Sequence, residues 1–146
     1  MHSHRETQHS PYTPEQLFAL VSDVERYPEF IPWCRAARIL ERGEGQFLGE
    51  LMISFANISE SYVSRVTLTP HSAIDVSLVR GPFKKLSNHW RFTPKAEGGT
   101  QIDFSLEFEF RSRLLETLIG ALFSRATAKM VAAFSTRADA LYGAKR

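Results

Sequence analysis

The chain has 146 residues, enough for one domain and too few for two comfortable ones. Hydrophobic residues make up 43% and charged residues 23%, a balance that argues against a disordered or fibrous chain, and a net charge of +2 allows a weak attraction to acidic surfaces without pointing to nucleic acid. The single cysteine, Cys34, excludes an internal disulfide framework and a zinc site built on several thiolates, while eleven phenylalanines imply either a thick core or an aromatic-lined cavity.

The opening Met-His-Ser-His-Arg-Glu-Thr has no apolar core and does not read as a secretory signal. Apolar runs are interrupted every few residues, so no transmembrane helix is expected, and a reducing, cytoplasmic setting is the default. Residues 2–10 lack helical periodicity and read as a polar strand. Thr13-Pro14-Glu15-Gln16 then places Thr at the N-cap, Pro at N1 and Gln at N3, a capping box, with Tyr12 and Leu17 in the staple positions. Leu17, Leu20, Val21 and Val24 form the buried face of a short helix ending between Asp23 and Arg26. In Tyr27-Pro28-Glu29-Phe30-Ile31-Pro32-Trp33-Cys34, two prolines forbid a long helix, so a single turn or ordered loop follows, unusually rich in aromatics.

Residues 35–110 read as strands. Phe47, Leu51, Ile53 and Phe55 share one face; Tyr62, Val66 and Leu68 share another; Ile74, Val76 and Leu78 follow; then Leu86, Asn88, Trp90 and Phe92; and last Ile102, Phe104, Leu106, Phe108 and Phe110. Polar residues occupy most of the alternate positions, the pattern of an antiparallel sheet with one solvated face. Turns are expected at Gly43-Glu44-Gly45, Pro70-His71-Ser72, Gly81-Pro82 and Glu97-Gly98-Gly99. After Arg111 the period changes. Leu115, Ile119, Leu122, Ala126, Met130, Ala133 and Leu141 trace a helical stripe flanked by Leu118, Phe123 and Phe134. One helix over residues 113–142 would span roughly 45 Å. Gly120 would bend it or delay its start, and Gly143 would stop it. The order of elements predicts a curled sheet that covers its apolar face with this helix.

Catalytic signals are sparse. His2 and His4 have no nearby third ligand, His89 lies on a polar face, Cys34 reads as a core thiol, and Glu107 and Glu109 read as a solvated pair; no phosphate loop is present. The inward aromatics fit either a filled core or a cavity. Asn88, between Leu86 and Trp90 on the apolar face, and Arg137, near the helix stripe, both need partners if buried. Apolar walls with a few polar groups are how ligand pockets are built. Arg80, Lys84, Lys85, Arg91 and Lys95 cluster around one hairpin, and Arg111, Arg113, Arg125 and Lys129 lie on or near the helix.

Three stretches carry a resemblance: Tyr27-Pro28-Glu29-Phe30-Ile31-Pro32-Trp33-Cys34; Gly81-Pro82-Phe83-Lys84-Lys85-Leu86 leading to Trp90-Arg91-Phe92; and Phe104-Ser105-Leu106-Glu107-Phe108-Glu109-Phe110. They resemble the coenzyme Q-binding START-like family, within the polyketide cyclase/dehydrase and lipid-transport superfamily, over roughly residues 12–142. The resemblance implies an α+β helix-grip fold for residues 1–146 as one domain: a curved antiparallel sheet wrapped around a long C-terminal helix, with a hydrophobic tunnel between. It implies ubiquinone binding without substrate turnover, and hence a non-enzymatic carrier or chaperone of a polyprenyl quinone serving respiration and quinone biosynthesis. The bacterial branch also contains ribosome-association toxins, which makes a ribosomal subunit the alternative partner, contacted through Lys84 and Lys85. An aromatase/cyclase-type enzyme is a third reading, lacking an identifiable acid–base pair. No catalytic cofactor, metal or DNA partner is expected.

The expected tunnel lining is Phe55, Tyr62, Leu86, Trp90, Phe104, Phe108, Ile119, Phe123 and Phe134. A Trp90 facing empty space would lose little stability on truncation. The proline-bounded segment, with Tyr27, Phe30, Ile31 and Trp33, is the expected gate, in transient contact with the inner face of a bacterial cytoplasmic membrane. On that reading Phe30→Ser/Trp33→Ser slows quinone exchange.

Overall fold

The computed structural model describes residues 1–55 and 57–143. Strand β1 (His2–Ser10) leads into helix α1 (Pro14–Ser22) and a 3₁₀ turn (Val24–Glu29). Six strands follow: β2 (Cys34–Gly43), β3 (Gln46–Phe55), β4 (Ile58–Thr69), β5 (Ala73–Arg80), β6 (Phe83–Pro94) and β7 (Thr100–Phe110). The C-terminal helical arm comprises α2 (Arg113–Leu115), a π turn (Glu116–Gly120), α3 (Ala121–Ala128) and α4 (Met130–Tyr142).

The capping box forms as expected. Gln16 N donates to Thr13 Oγ1 at 3.1 Å and Thr13 N donates to Gln16 Oε1 at 3.0 Å, using up two amides that the first helical turn leaves over. The polar N-terminal segment is a strand because it pairs with β7 in register from His2↔Phe108 to Ser10↔Thr100. All seven strands are antiparallel, in the order β1-β7-β6-β5-β4-β3-β2. Neighbours in sequence are neighbours in the sheet except for β1, which joins the far edge beside β7. In β7 buried and half-buried residues alternate without a break, the signature of one face turned to the core.

Two irregularities stand at the β5–β6 hairpin. The register of β6 against β7 slips between Phe83 and Lys85, so consecutive Lys84 and Lys85 are both exposed. At the preceding turn Gly81 has φ +150, and a Cβ there would stand 2.5 Å from Tyr62 Cβ. Any side chain at Gly81 strains the turn and pushes on Tyr62. Gly81→Ala is therefore expected to destabilise the fold by about 1–3 kcal/mol, read from the midpoint of denaturant unfolding. An unchanged midpoint would show that the hairpin relaxes freely.

The single 45 Å helix is not what forms. The arm bends by 44° at Lys129, whose φ −99 and ψ 7 lie outside the helical region. Thr127 contributes to the break: its Oγ1 donates toward the carbonyls of Phe123 (2.9 Å) and Ser124 (3.2 Å), a local bonding mode that bends helices. Gly120 neither bends nor starts the helix; it closes the π turn, buried so tightly that a Cβ would meet the Glu116 carboxylate. The helix ends at Tyr142 as expected, though Gly143 stays right-handed at φ −71 and does not adopt the left-handed stop.

The phase of the arm also differs from expectation. Its buried residues are Ile119, Gly120, Phe123, Thr127, Val131, Phe134 and Ala138, whereas Leu118, Leu122 and Leu141 point outward. From Ile119 to Val131 the buried large positions recur every four residues, not every 3.6. A π turn at one end and a break at the other absorb the surplus rotation, so a stripe drawn at the ideal helical period drifts off the core.

Candidate functional site

The concave face of the sheet, α1, the 3₁₀ turn and the helical arm enclose an apolar cavity of about 60 Å³. Its wall includes Leu51, Val66, Ile74, Leu86 and Leu106 from the sheet, Val21 and Val24 from the first helical region, and Phe123, Thr127 and Met130 from the arm. Four residues expected to line it stand in that wall: Tyr62, Leu86, Trp90 and Phe123. Phe55, Phe104, Phe108, Ile119 and Phe134 pack behind or beside it. Phe104 and Phe134 sit against Trp90 at 4.7 and 5.2 Å between ring centroids, Phe108 meets Phe123 edge-on at 4.7 Å, Phe55 stacks on Trp33 at 6.2 Å, and Ile119 is fully buried.

The wall also holds polar groups. Asn88 lies half-buried in it, with Nδ2 donating to Ser105 O at 3.0 Å and Oδ1 accepting from Trp90 Nε1 at 3.0 Å. This pins the indole and leaves one Asn88 N–H and one lone pair unused. Ser64 and Thr127 join it, both 2% exposed. Thr127 is satisfied by its own helix, whereas the Tyr62 and Ser64 hydroxyls have no hydrogen-bond partner among the described residues. Ser64 could have been found by alternation, since it falls between Tyr62 and Val66 on the inward face; Thr127 is hidden by its four-residue distance from Phe123.

Burial governs the titratable groups here. Desolvation pushes the phenols of Tyr27 and Tyr62 well above the usual tyrosine range. Tyr27 is further held by donating its hydroxyl to Val21 O. Cys34 is 2% exposed, and burial pushes its thiol up to about 11, so it is a protonated core thiol. None of these groups is poised to exchange a proton near neutral pH. His2 meets Glu116 at 2.5 Å and His89 meets Asp75 at 2.5 Å, and no group of three metal-ligating side chains occurs among the described residues.

Three of the four side chains expected to form the gate are inside. Tyr27, Ile31 and Trp33 are buried, and only Phe30 is half-buried, under the Arg137 guanidinium at 5.1 Å from the ring centroid. Arg137 is paired, donating from Nη2 to Glu29 Oε1 at 2.6 Å, which ties α4 to the 3₁₀ turn. A second, outer groove of about 310 Å³ runs between this segment and the arm, lined by Ile31, Pro32, Trp33, Ala126, Lys129, Met130, Ala132, Ala133 and Thr136. Trp33 and Met130 belong to both spaces. These two side chains form the partition between the inner cavity and the outer groove, at the point where the arm breaks.

The architecture agrees with comparison to known proteins. A family model described as polyketide cyclase/dehydrase and lipid transport matches residues 10–135. The chain belongs to this family. Within it, the chain is 43% identical over 135 residues to the ribosome association toxin RatA of Escherichia coli K12, covering 92% of this chain and 85% of that one. It is 32% identical over 136 residues to the mitochondrial coenzyme Q-binding protein COQ10 homolog B of Xenopus laevis, covering 90% of this chain and 56% of that one. The solution structure of the 18 kDa protein CC1736 from Caulobacter crescentus superposes with a TM-score of 0.76 at 41% identity, covering 98% of this chain and 99% of that one. The helix-grip, START-like fold is shared with a START superfamily protein from Mycobacterium smegmatis, which superposes with a TM-score of 0.79 at 20% identity, covering 97% of this chain and 99% of that one. No single helix among the described residues is long and apolar enough to cross a membrane.

Proposed function

We propose that the chain is a non-enzymatic carrier or chaperone for a polyprenyl quinone such as ubiquinone, working in the bacterial cytoplasm and in transient contact with the inner face of the membrane. The observation that carries this reading is an apolar cavity whose polar atoms are not used up by the protein: the Tyr62 and Ser64 hydroxyls and one N–H of Asn88 face a space walled by hydrocarbon. Hydroxyl and amide donors suit quinone carbonyls, and the apolar wall suits isoprenoid, where each buried CH₂ is worth about 0.8 kcal/mol. Burial raises the phenol pKa values, so Tyr62 stays protonated and available as a hydrogen-bond donor. The coenzyme Q-binding name borne by the Xenopus relative supports the same ligand class.

A free volume of about 60 Å³ is far below the ~300–1,000 Å³ of ligand pockets. A quinone therefore enters by widening the cavity, and the partition of Trp33 and Met130 is the wall that gives. The head group then sits beneath it while the tail lies along the outer groove. Lipid extraction and mass spectrometry of protein purified from a quinone-replete host is expected to recover a polyprenyl quinone in near-stoichiometric amount. Recovery of none would sink the carrier reading.

A ribosome-directed role is the second reading, favoured by the exposed Lys84–Lys85 pair at the β6 bulge and by the name of the Escherichia coli relative. It requires co-sedimentation with ribosomal subunits that Lys84→Glu/Lys85→Glu abolishes and that rising salt weakens. Binding insensitive to both would remove this surface from consideration.

A further inference from the structure

The inner face of the helical arm roofs the cavity; its outer face carries a row of exposed leucines. Leu114, Leu118 and Leu122 are 66%, 50% and 39% exposed. They are spaced by four residues, and in a regular α-helix each such step advances the side chain by about 40° around the axis. The π turn Glu116–Gly120 takes up extra chain per turn and draws the three leucines back toward one line. An outward leucine row is an unfavourable surface for a water-facing helix, and the same irregularity that seats Ile119 and Phe123 in the core produces it.

The exposed charges on and beside the row are mostly positive. Arg111, Arg113, Arg125 and Lys129 are exposed on and beside it, and Arg113, Arg125 and Lys129 have no ion-pair partner among the described residues. The arm's acid before Lys129, Glu116, is half-buried and held by His2 at 2.5 Å. The β5–β6 hairpin abuts the start of the arm, since Arg111 N donates to Pro82 O at 2.8 Å, and it brings Lys85, and Lys84 paired with Glu109 at 3.8 Å, to the same end. One step beyond Leu122, Ala126 lines the outer groove that ends at Trp33 and Met130. An apolar track thus runs from the leucine row to the partition of the cavity.

We propose that Leu114, Leu118 and Leu122, with their collar of arginines and lysines, dock the protein on a bilayer containing anionic lipid. The leucines enter the interfacial region and the cations meet headgroup phosphates, neither of which needs a shaped partner. A convex helix face offering hydrocarbon and a surplus of positive charge suits a fluid surface better than a folded partner. This shifts membrane contact away from the proline-bounded segment, whose rings are largely buried, and onto the arm. The proposal deepens the lipid-carrier reading by placing the groove at the membrane, but docking is measured without any quinone.

Flotation with vesicles of phosphatidylcholine alone, and of an equimolar phosphatidylcholine–phosphatidylglycerol mixture, tests it. The wild-type chain is expected to float with the anionic vesicles and to be released by high salt. Leu114→Ser/Leu118→Ser/Leu122→Ser changes exposed side chains only and is expected to weaken binding on the order of tenfold or more while keeping the melting temperature. Arg113→Glu/Arg125→Glu is expected to remove the preference for anionic vesicles, by about fivefold or more per residue. Wild-type protein left in the soluble fraction with both vesicles would overturn the proposal, as would a triple-serine variant that floats like wild type. Loss of ribosome co-sedimentation in that variant, with no vesicle binding by the wild type, would assign the row to a macromolecular partner and equally overturn it. Bound quinone assayed in the same samples separates the two readings: a chain that floats but carries no quinone keeps the docking surface and loses the carrier role.

Discussion

Trp90→Ala is expected to destabilise the protein by about 3–5 kcal/mol and to lower its melting temperature by roughly 10 °C. The indole is 2% exposed and stands against three rings, Phe104 at 4.7 Å, Phe134 at 5.2 Å and Phe92 at 6.1 Å between centroids. Its N–H donates to Asn88 Oδ1, so truncation also strips an acceptor of its partner. From sequence, a cavity-facing Trp90 is expected to cost well below that range on truncation. The structure gives it both duties: one part of the ring lines the cavity while the rest joins β6 and β7 to the helical arm. Trp90→Leu, which refills part of the volume, is expected to fold and to retain less quinone. Calorimetry of both variants decides the first point; a fall of only one or two degrees for Trp90→Ala would mean that the ring faces open space on most sides.

Trp33→Ala/Met130→Ala is expected to speed quinone exchange with liposomes about tenfold. Opening the partition means parting Trp33 from Phe123, edge-on at 5.5 Å, and from Phe55, stacked at 6.2 Å. Two aromatic contacts worth about 0.5–1.5 kcal/mol each put roughly 1–3 kcal/mol into the barrier, and each 1.4 kcal/mol removed is a factor of about ten in rate. The sign is opposite to that expected of a membrane-facing Trp33, whose loss would slow exchange. The reason is position: Trp33 is 8% exposed and stands between two spaces, so removing it opens a passage. Stopped-flow transfer to acceptor vesicles, run well below the variant's melting temperature, measures the rate. An unchanged or slower rate would place the entrance elsewhere.

Much of the architecture was legible in local patterns. Thr13-Pro14-Glu15-Gln16 set the start of α1 because a capping box is satisfied within four residues. Strict alternation in Ile102, Phe104, Leu106, Phe108 and Phe110 oriented β7 because a strand's side-chain period does not vary. Within the site, Tyr62, Leu86, Trp90 and Asn88 were visible on inward faces for the same reason. Three features were not visible. The helical arm departs from 3.6 residues per turn through a π turn and a break, so Leu122 read as core and is surface, while Thr127 and Val131 went unread. The partition by Trp33 joins residues almost a hundred positions apart. The inward turn of Tyr27 and Ile31 depends on α4, where Arg137 grips Glu29 and Phe134 meets Tyr27 at 5.2 Å.

Local patterning therefore determined the first helix, the inward faces of β3 to β7 and the order of the elements, each set by residues near in the chain. Tertiary structure alone decided the phase of the arm, the size of the cavity and which side chains separate it from the outer groove. Those depend on how a helix is deformed to fit a curved sheet, and that deformation is a balance of packing across the whole core that no local period records.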